Sequence, residues 1–117
     1  GAISMNNGNV IINGGNLSSR GDGDTGSWSD GTSGQADAII NLNAKYGTVN
    51  CEINGGKFTA TGDAEIIVSK NPKFPVTASI KGGKFNKRLL NEDWIADGYA
   101  MTETPDSEGY YSVLAVD

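Results

Sequence analysis

The sequence contains no histidine. That single absence removes imidazole acid–base chemistry, histidine-based triads and histidine metal sites together. Cysteine is nearly absent as well: Cys51 stands alone, so no internal disulfide forms and no cysteine-rich zinc site can be built. It lies in Val49-Asn50-Cys51-Glu52-Ile53, where alternation puts it on the face of Val49 and Ile53, and it reads as a small buried hydrophobe rather than a reactive thiol. No apolar run approaches the ~18 residues that a membrane-spanning helix requires. Positive charge is in deficit too. Nine Lys and Arg against 14 Asp and Glu leave a formal net charge of −5, which argues against a nucleic-acid footprint. The opening Gly1-Ala2-Ile3-Ser4 shows no basic start followed by an apolar core, so no secretory leader is read there, and Gly1 suits a cleavage scar.

Glycine is in excess, 17 of 117 residues, without the G-X-Y period of collagen. It is organised instead by an internal repeat, Ile-x-Gly-Gly-x-(Phe/Leu). The three copies are Ile12-Asn13-Gly14-Gly15-Asn16-Leu17, Ile53-Asn54-Gly55-Gly56-Lys57-Phe58 and Ile80-Lys81-Gly82-Gly83-Lys84-Phe85. The second and third lie 27 residues apart, and the register extends beyond the motif: Ile39 and Ile40 match Ile66 and Ile67, Val49 matches Val76, and Cys51 matches Ala78. The first and second lie 41 apart, one period plus a 14-residue insertion, placed in the polar stretch 18–34.

Within each unit the apolar period is two, as in a strand with one buried face. Val49, Cys51 and Ile53 point inward, and Asn50, Glu52 and Asn54 outward; Val76, Ala78 and Ile80 alternate with Thr77, Ser79 and Lys81. In the earlier unit Val10 and Ile12 face inward, and Asn9, Ile11 and Asn13 outward. Gly-Gly then turns a corner, after which Leu17, Phe58 or Phe85 points back inside. A second strand follows around Ala64-Glu65-Ile66-Ile67-Val68, with Asp37-Ala38-Ile39-Ile40-Asn41 as its counterpart. Matched residues at a fixed 27 predict an all-β fold, a short right-handed parallel β-helix of about three coils, with Val49 over Val76 and Phe58 over Phe85. An antiparallel sandwich also has short alternating strands, but no reason to keep that spacing.

The tail leaves the repeat. Asn91 as N-cap, Glu92 and Asp93 in a first turn and Gly98 beyond the end predict a short helix. Residues 99–103 and 110–116 then read as two strands around a turn at Pro105-Asp106-Ser107-Glu108-Gly109. The expected organisation is therefore coils over 1–88 and a cap over 89–117 whose Trp94 and Ile95 lie on the last coil. No comparable cap precedes Ile3, so that end is expected to be open or covered by other sequence.

The Gly-Gly-Lys-Phe step, the acidic short helix, Ala96-Asp97-Gly98-Tyr99 and the final Tyr-rich strand together resemble a repeat-plus-cap pattern common in large secreted or surface proteins of gut-type Gram-positive bacteria. There the pattern runs G-G-T-F, a spacer, L-A-D-G-Y and a closing D-G-x-Y-x-V. The resemblance covers roughly residues 49–113; Ile95 stands where Leu is usual, and Glu108-Gly109-Tyr110 replaces Asp-Gly-x. It implies extracellular or cell-surface display within a longer chain, and it carries over no catalytic residue.

The residues themselves offer three contact surfaces. The outward row has one acid and one base, Glu52 and Lys81, expected to form a surface ion pair; this is short of the two carboxylates that glycoside hydrolysis needs. The inserted loop gathers Arg20, Asp22, Asp24, Trp28 and Asp30. Its three aspartates are candidate oxygen ligands for calcium, but the EF-hand spacing fails, with Gly26 at the fifth position and Ser33 at the twelfth. Trp28 reads either as a stacking platform for a sugar ring or as an anchor that folds its own loop back over the side of the coil. Arg20-Gly21-Asp22 matches an adhesion tripeptide, read as coincidence. Lys57, Lys84, Lys87 and Arg88 form a basic row that suits an anionic glycan or, more simply, edge protection. The expected role is non-enzymatic, with no cofactor and no nucleic acid: a structural or binding module meeting a glycan or a host or cell-surface protein through 18–34. The alternatives are a fragment of a β-helix polysaccharide lyase or hydrolase, or a phage-fibre segment.

Overall fold

Two-residue alternation is realised as strands throughout a computed structural model of the chain, which describes residues 2–20 and 38–116. The fold is all-β. The strands are β1 (Ile3–Met5), β2 (Gly8–Ile12), β3 (Asn16–Arg20), β4 (Ala38–Leu42), β5 (Val49–Ile53), β6 (Lys57–Thr61), β7 (Glu65–Val68), β8 (Val76–Ile80), β9 (Lys84–Phe85), β10 (Tyr99–Met101) and β11 (Tyr111–Ala115). They form sheet A in the order β1-β4-β7, sheet B in the order β2-β5-β8, and sheet C in the order β10-β11-β9-β6-β3. The chain visits B, C and A in rotation, and within each sheet every pair up to β9 is parallel.

The registers follow the repeat. Val49 pairs with Val76, Cys51 with Ala78 and Ile53 with Ile80, while Lys57 pairs with Lys84 and Phe58 with Phe85. One circuit earlier Ile12 pairs with Ile53 and Leu17 with Phe58. Each circuit contains three strands, however, where the alternation suggested two. The additional one, β6, follows the Gly-Gly corner as Lys57-Phe58-Thr59-Ala60-Thr61, with Phe58 and Ala60 buried. Its inward face ends in a small alanine, so its alternation is faint. The β3–β6 ladder holds through Arg20 opposite Thr61, and the β4–β7 ladder resumes at Ala38 opposite Glu65. The insertion therefore falls after Arg20 rather than at residue 18; Ser18, Ser19 and Arg20 belong to β3.

The corner explains its two glycines separately. At the second, φ is +97° at Gly15, +112° at Gly56 and +105° at Gly83, a region that side-chain-bearing residues avoid. At the first, a Cβ on Gly55 would lie 2.7 Å from the Asn13 carbonyl oxygen, and one on Gly82 would clash in the same way with that of Asn54. The opposite corner, from sheet A into sheet B, also repeats: Ala44 and Asn71 both have positive φ.

Aliphatic and aromatic columns fill the interior. Val49, Ile53, Ile80, Phe58 and Phe85 are fully buried, and the two phenylalanine rings stack with centroids 4.9 Å apart and 14° between planes. Burying each aromatic side chain contributes about 1.5–3 kcal/mol. Cys51 joins this column, and burial pushes its thiol pKa up to about 11, as expected of a structural rather than reactive cysteine. Sheet A departs from one-sided burial, since all five residues of β4 are buried, Asn41 included.

The end after β9 is closed by unlike devices. The Asn86 carboxamide stands in for a strand residue, accepting from the Ala60 N–H and donating to the Ala60 carbonyl, both at 2.8 Å. The Lys87 ammonium donates to the carbonyls of Gly62 and Ala64 at 2.9 and 2.6 Å. The expected helix is a single 3₁₀ turn, Glu92–Trp94, with the Asn91 side chain accepting from the Asp93 N–H. It stops at Ile95 rather than running toward Gly98, because Ile95 bridges Ile80 in parallel and the Ala96 N–H donates to the Ile80 carbonyl at 3.0 Å. The unpaired edge of β8 takes that backbone out of the helix. β11 pairs antiparallel with β9 and with β10, extending sheet C, and Trp94, Ile95, Tyr99 and Tyr111 pack on the core.

Candidate functional site

The outer face of sheet B presents three rows of side chains, because parallel register puts equivalent residues from successive circuits beside one another at ~4.8 Å. In the first row the Asn50 amide donates to Asn9 Oδ1 at 2.7 Å, and the Thr77 hydroxyl donates to Asn50 Oδ1. The second row is Ile11, Glu52 and Ser79. In the third, the Asn54 amide donates to Asn13 Oδ1 at 2.9 Å and also to Glu52 Oε2 at 2.9 Å. Between the first two rows runs a shallow groove of about 290 Å³, lined by Asn9, Ile11, Asn50, Glu52, Thr77 and Ser79.

This face can donate and accept hydrogen bonds to hydroxyl-rich or amide-rich ligands. Glu52 is its only carboxylate, so it lacks the acid–base pair of a glycoside hydrolase. The expected Glu52–Lys81 ion pair does not form. Asn54, two residues along the same strand face, takes the Glu52 carboxylate, while Lys81 lies one circuit away in the Asn54 row.

The basic row lies on sheet C and on the segment following it, and every member is engaged. Lys57 and Lys84 are ladder partners on the outer face. The β10–β11 hairpin folds its acidic turn back over them, setting Lys57 3.5 Å from Glu108 and Lys84 3.8 Å from Asp106. The Lys57 ammonium also sits 4.6 Å from the centre of the Tyr110 ring, whose hydroxyl shares a 2.8 Å hydrogen bond with Thr59. Arg88 holds Glu92 through two contacts, at 2.9 and 3.3 Å, and donates to the Thr102 carbonyl at 2.7 Å. Its pKa is raised, chiefly by the hydrogen bond to Glu92. Asp106 accepts from the backbone N–H groups of Tyr110 and Glu108, which hold its carboxyl below the ordinary range, with Lys84 adding to the effect. Lys57, Lys84 and Arg88 serve the docking of the hairpin, while Lys87 holds the carbonyls of Gly62 and Ala64. The sequence signalled the row itself but not the partners of its lysines, which approach from more than twenty residues away.

Arg20 is exposed at the end of β3. Asp22, Asp24, Trp28 and Asp30 lie outside the described residues, and the calcium and sugar-stacking readings lie there with them. Among the described residues there is no group of three or more His, Cys, Asp and Glu suited to hold a metal ion, and no helix long and apolar enough to cross a membrane. Set against family models, curated proteins and solved structures, the chain matches none of them.

Proposed function

We propose that the three sheets are the faces of a short right-handed parallel β-helix of about three coils, closed at its C-terminal end by a 3₁₀ turn and hairpin, and that it works as a non-catalytic module of an extracellular or cell-surface protein. The right hand follows from the general crossover rule for parallel strands. The observation that carries the role is the outer face of sheet B: its amides and hydroxyl bond to one another along the stack, and its single carboxylate is held by Asn54. Such side chains are spent on order within the wall rather than gathered around a reacting atom. Extracellular display rests on the repeat-plus-cap resemblance. The contact surface assigned to the module is the inserted loop, with Trp28 as its aromatic platform and a glycan or cell-surface protein as its partner.

An oligosaccharide panel read for binding and for cleavage tests this reading. Binding without cleavage, lost in Trp28→Ala, is the expected result. Cleavage of any member overturns the non-catalytic role.

A further inference from the structure

The Gly-Gly corner occurs three times, but only two copies meet anything that explains the first glycine. At Gly55 and Gly82 a side chain would drive into the backbone carbonyl of the circuit beneath, that of Asn13 or Asn54. Among the described residues, the same atom at Gly14 would meet nothing within 4 Å, and the φ of Gly14 is not in the left-handed region. An ordinary residue fits at position 14 in this structure, yet the sequence keeps the glycine that a circuit lying beneath would require.

Three further features of the same end agree. Stacking at each corner is directional: Asn54 and Lys57 donate their N–H groups to the carbonyls of Ile12 and Gly15 beneath, and Lys81 and Lys84 donate to those of Ile53 and Gly56. Asn13 and Asn16 hold the equivalent register positions, with no described strand below them. The side-chain amides run the same way, each donating to the circuit beneath, so the row ends with the Asn9 and Asn13 amides at this face. The inward column also thins there, since Ile3, Met5, Val10 and Leu17 are only partly buried against the core.

We propose that the face formed by the edges of β2 and β3 that pair with no other described strand is a stacking surface for one more strand–Gly-Gly–strand circuit, laid parallel and supplied by polypeptide that runs into Ile3. It would continue the interface that β5 makes on β2 and β8 makes on β5. A second copy fits less well. Its opposite end is closed by the 3₁₀ turn and hairpin, and a head-to-head pair would run antiparallel, without the parallel peptide-on-peptide approach that excludes a side chain at Gly55 and Gly82. The proposal rests on the β-helix reading above.

The test adds the missing circuit. Residues 49–66 are duplicated ahead of Ile3 in place of Gly1 and Ala2, so that Ile3 takes the place of Ile67, its register equivalent through Ile40. The expected result is that Gly14→Ala leaves the melting temperature of the 117-residue chain unchanged but lowers that of the extended chain, whose added amides are protected from hydrogen exchange. Gly14→Ala silent in both chains, an extended chain with unprotected added amides, or Gly14→Ala already destabilising in the 117-residue chain would each overturn the proposal. So would self-association of the 117-residue chain that is abolished by Val10→Lys, which would put a second copy on this face. If Gly55→Ala and Gly82→Ala are silent as well, it is the β-helix reading itself that fails.

Discussion

On the outer face of sheet B, Asn50 bonds to Asn9 and Asn54 to Asn13, whereas on the outer face of sheet C Lys57 and Lys84 bond to acids of a distant hairpin. Both faces come from one repeat, and both place like residues beside like. The difference lies in the chemistry of the stacked group. A carboxamide donates and accepts, so copies of it satisfy one another. An ammonium only donates, and like charges opposite one another on neighbouring strands repel, so stacked lysines need an anion from elsewhere. The asparagine wall is therefore self-sufficient and extendable, while the lysine wall ties the last circuits to a particular cap.

Both walls hang on one interior, and the largest expected effect comes from cutting there. Phe58→Ala removes one ring of the stacked pair behind sheet C and should cost about 3–5 kcal/mol in urea unfolding; a negligible loss would mean that the lysine wall is not anchored from within. Asn50→Ala breaks the bonds to both its neighbours, and the expected loss is about 1 kcal/mol. That loss should persist in 1 M salt, because no net charge is involved; a value that vanished with salt would make the two walls alike. Glu108→Gln removes the anion from Lys57, where both side chains are substantially exposed, and should cost less than about 1 kcal/mol at low salt and nothing measurable at high salt.

The smallest effect concerns pH. Asp106 has its carboxyl pKa lowered in the folded chain, first by the Tyr110 N–H and then by its other donors and Lys84. Its stabilisation is present above the unfolded value of about 3.9 and is lost as pH falls through the lower folded value. The gap in urea midpoint between the natural chain and Asp106→Asn should therefore narrow on acidification below about pH 4. A gap independent of pH would remove electrostatics from the docking of the hairpin.

Much of this architecture was legible because the parallel register turns sequence spacing directly into spatial neighbours. The Ile-x-Gly-Gly-x-Phe motif located the Phe58–Phe85 and Val49–Val76 pairs without any knowledge of turns. β6 was hidden by Ala60, too small to mark an inward position, whereas β4 was legible as the counterpart of β7 even though Ala38-Ile39-Ile40 is buried on both faces and shows no alternation. The helix signal at Asn91 was real but local, and the vacant edge of β8 outcompeted it at Ile95. The basic row was visible in composition, but its partners were not: Lys57 and Glu108 are brought together only by the return of β11, and no periodicity records that. Glu52 likewise met Asn54 on its own strand before it could reach Lys81.

The 27-residue offset between stacked circuits has a mechanical counterpart. Because each strand is held by its equivalents above and below rather than by its neighbours along the chain, tension applied at the two ends peels the wall one layer at a time instead of shearing it at once. A released 27-residue layer pays out roughly 90 Å of contour and the 41-residue layer carrying the insertion roughly 140 Å, so a tether built this way would lengthen in discrete steps and absorb a pull gradually.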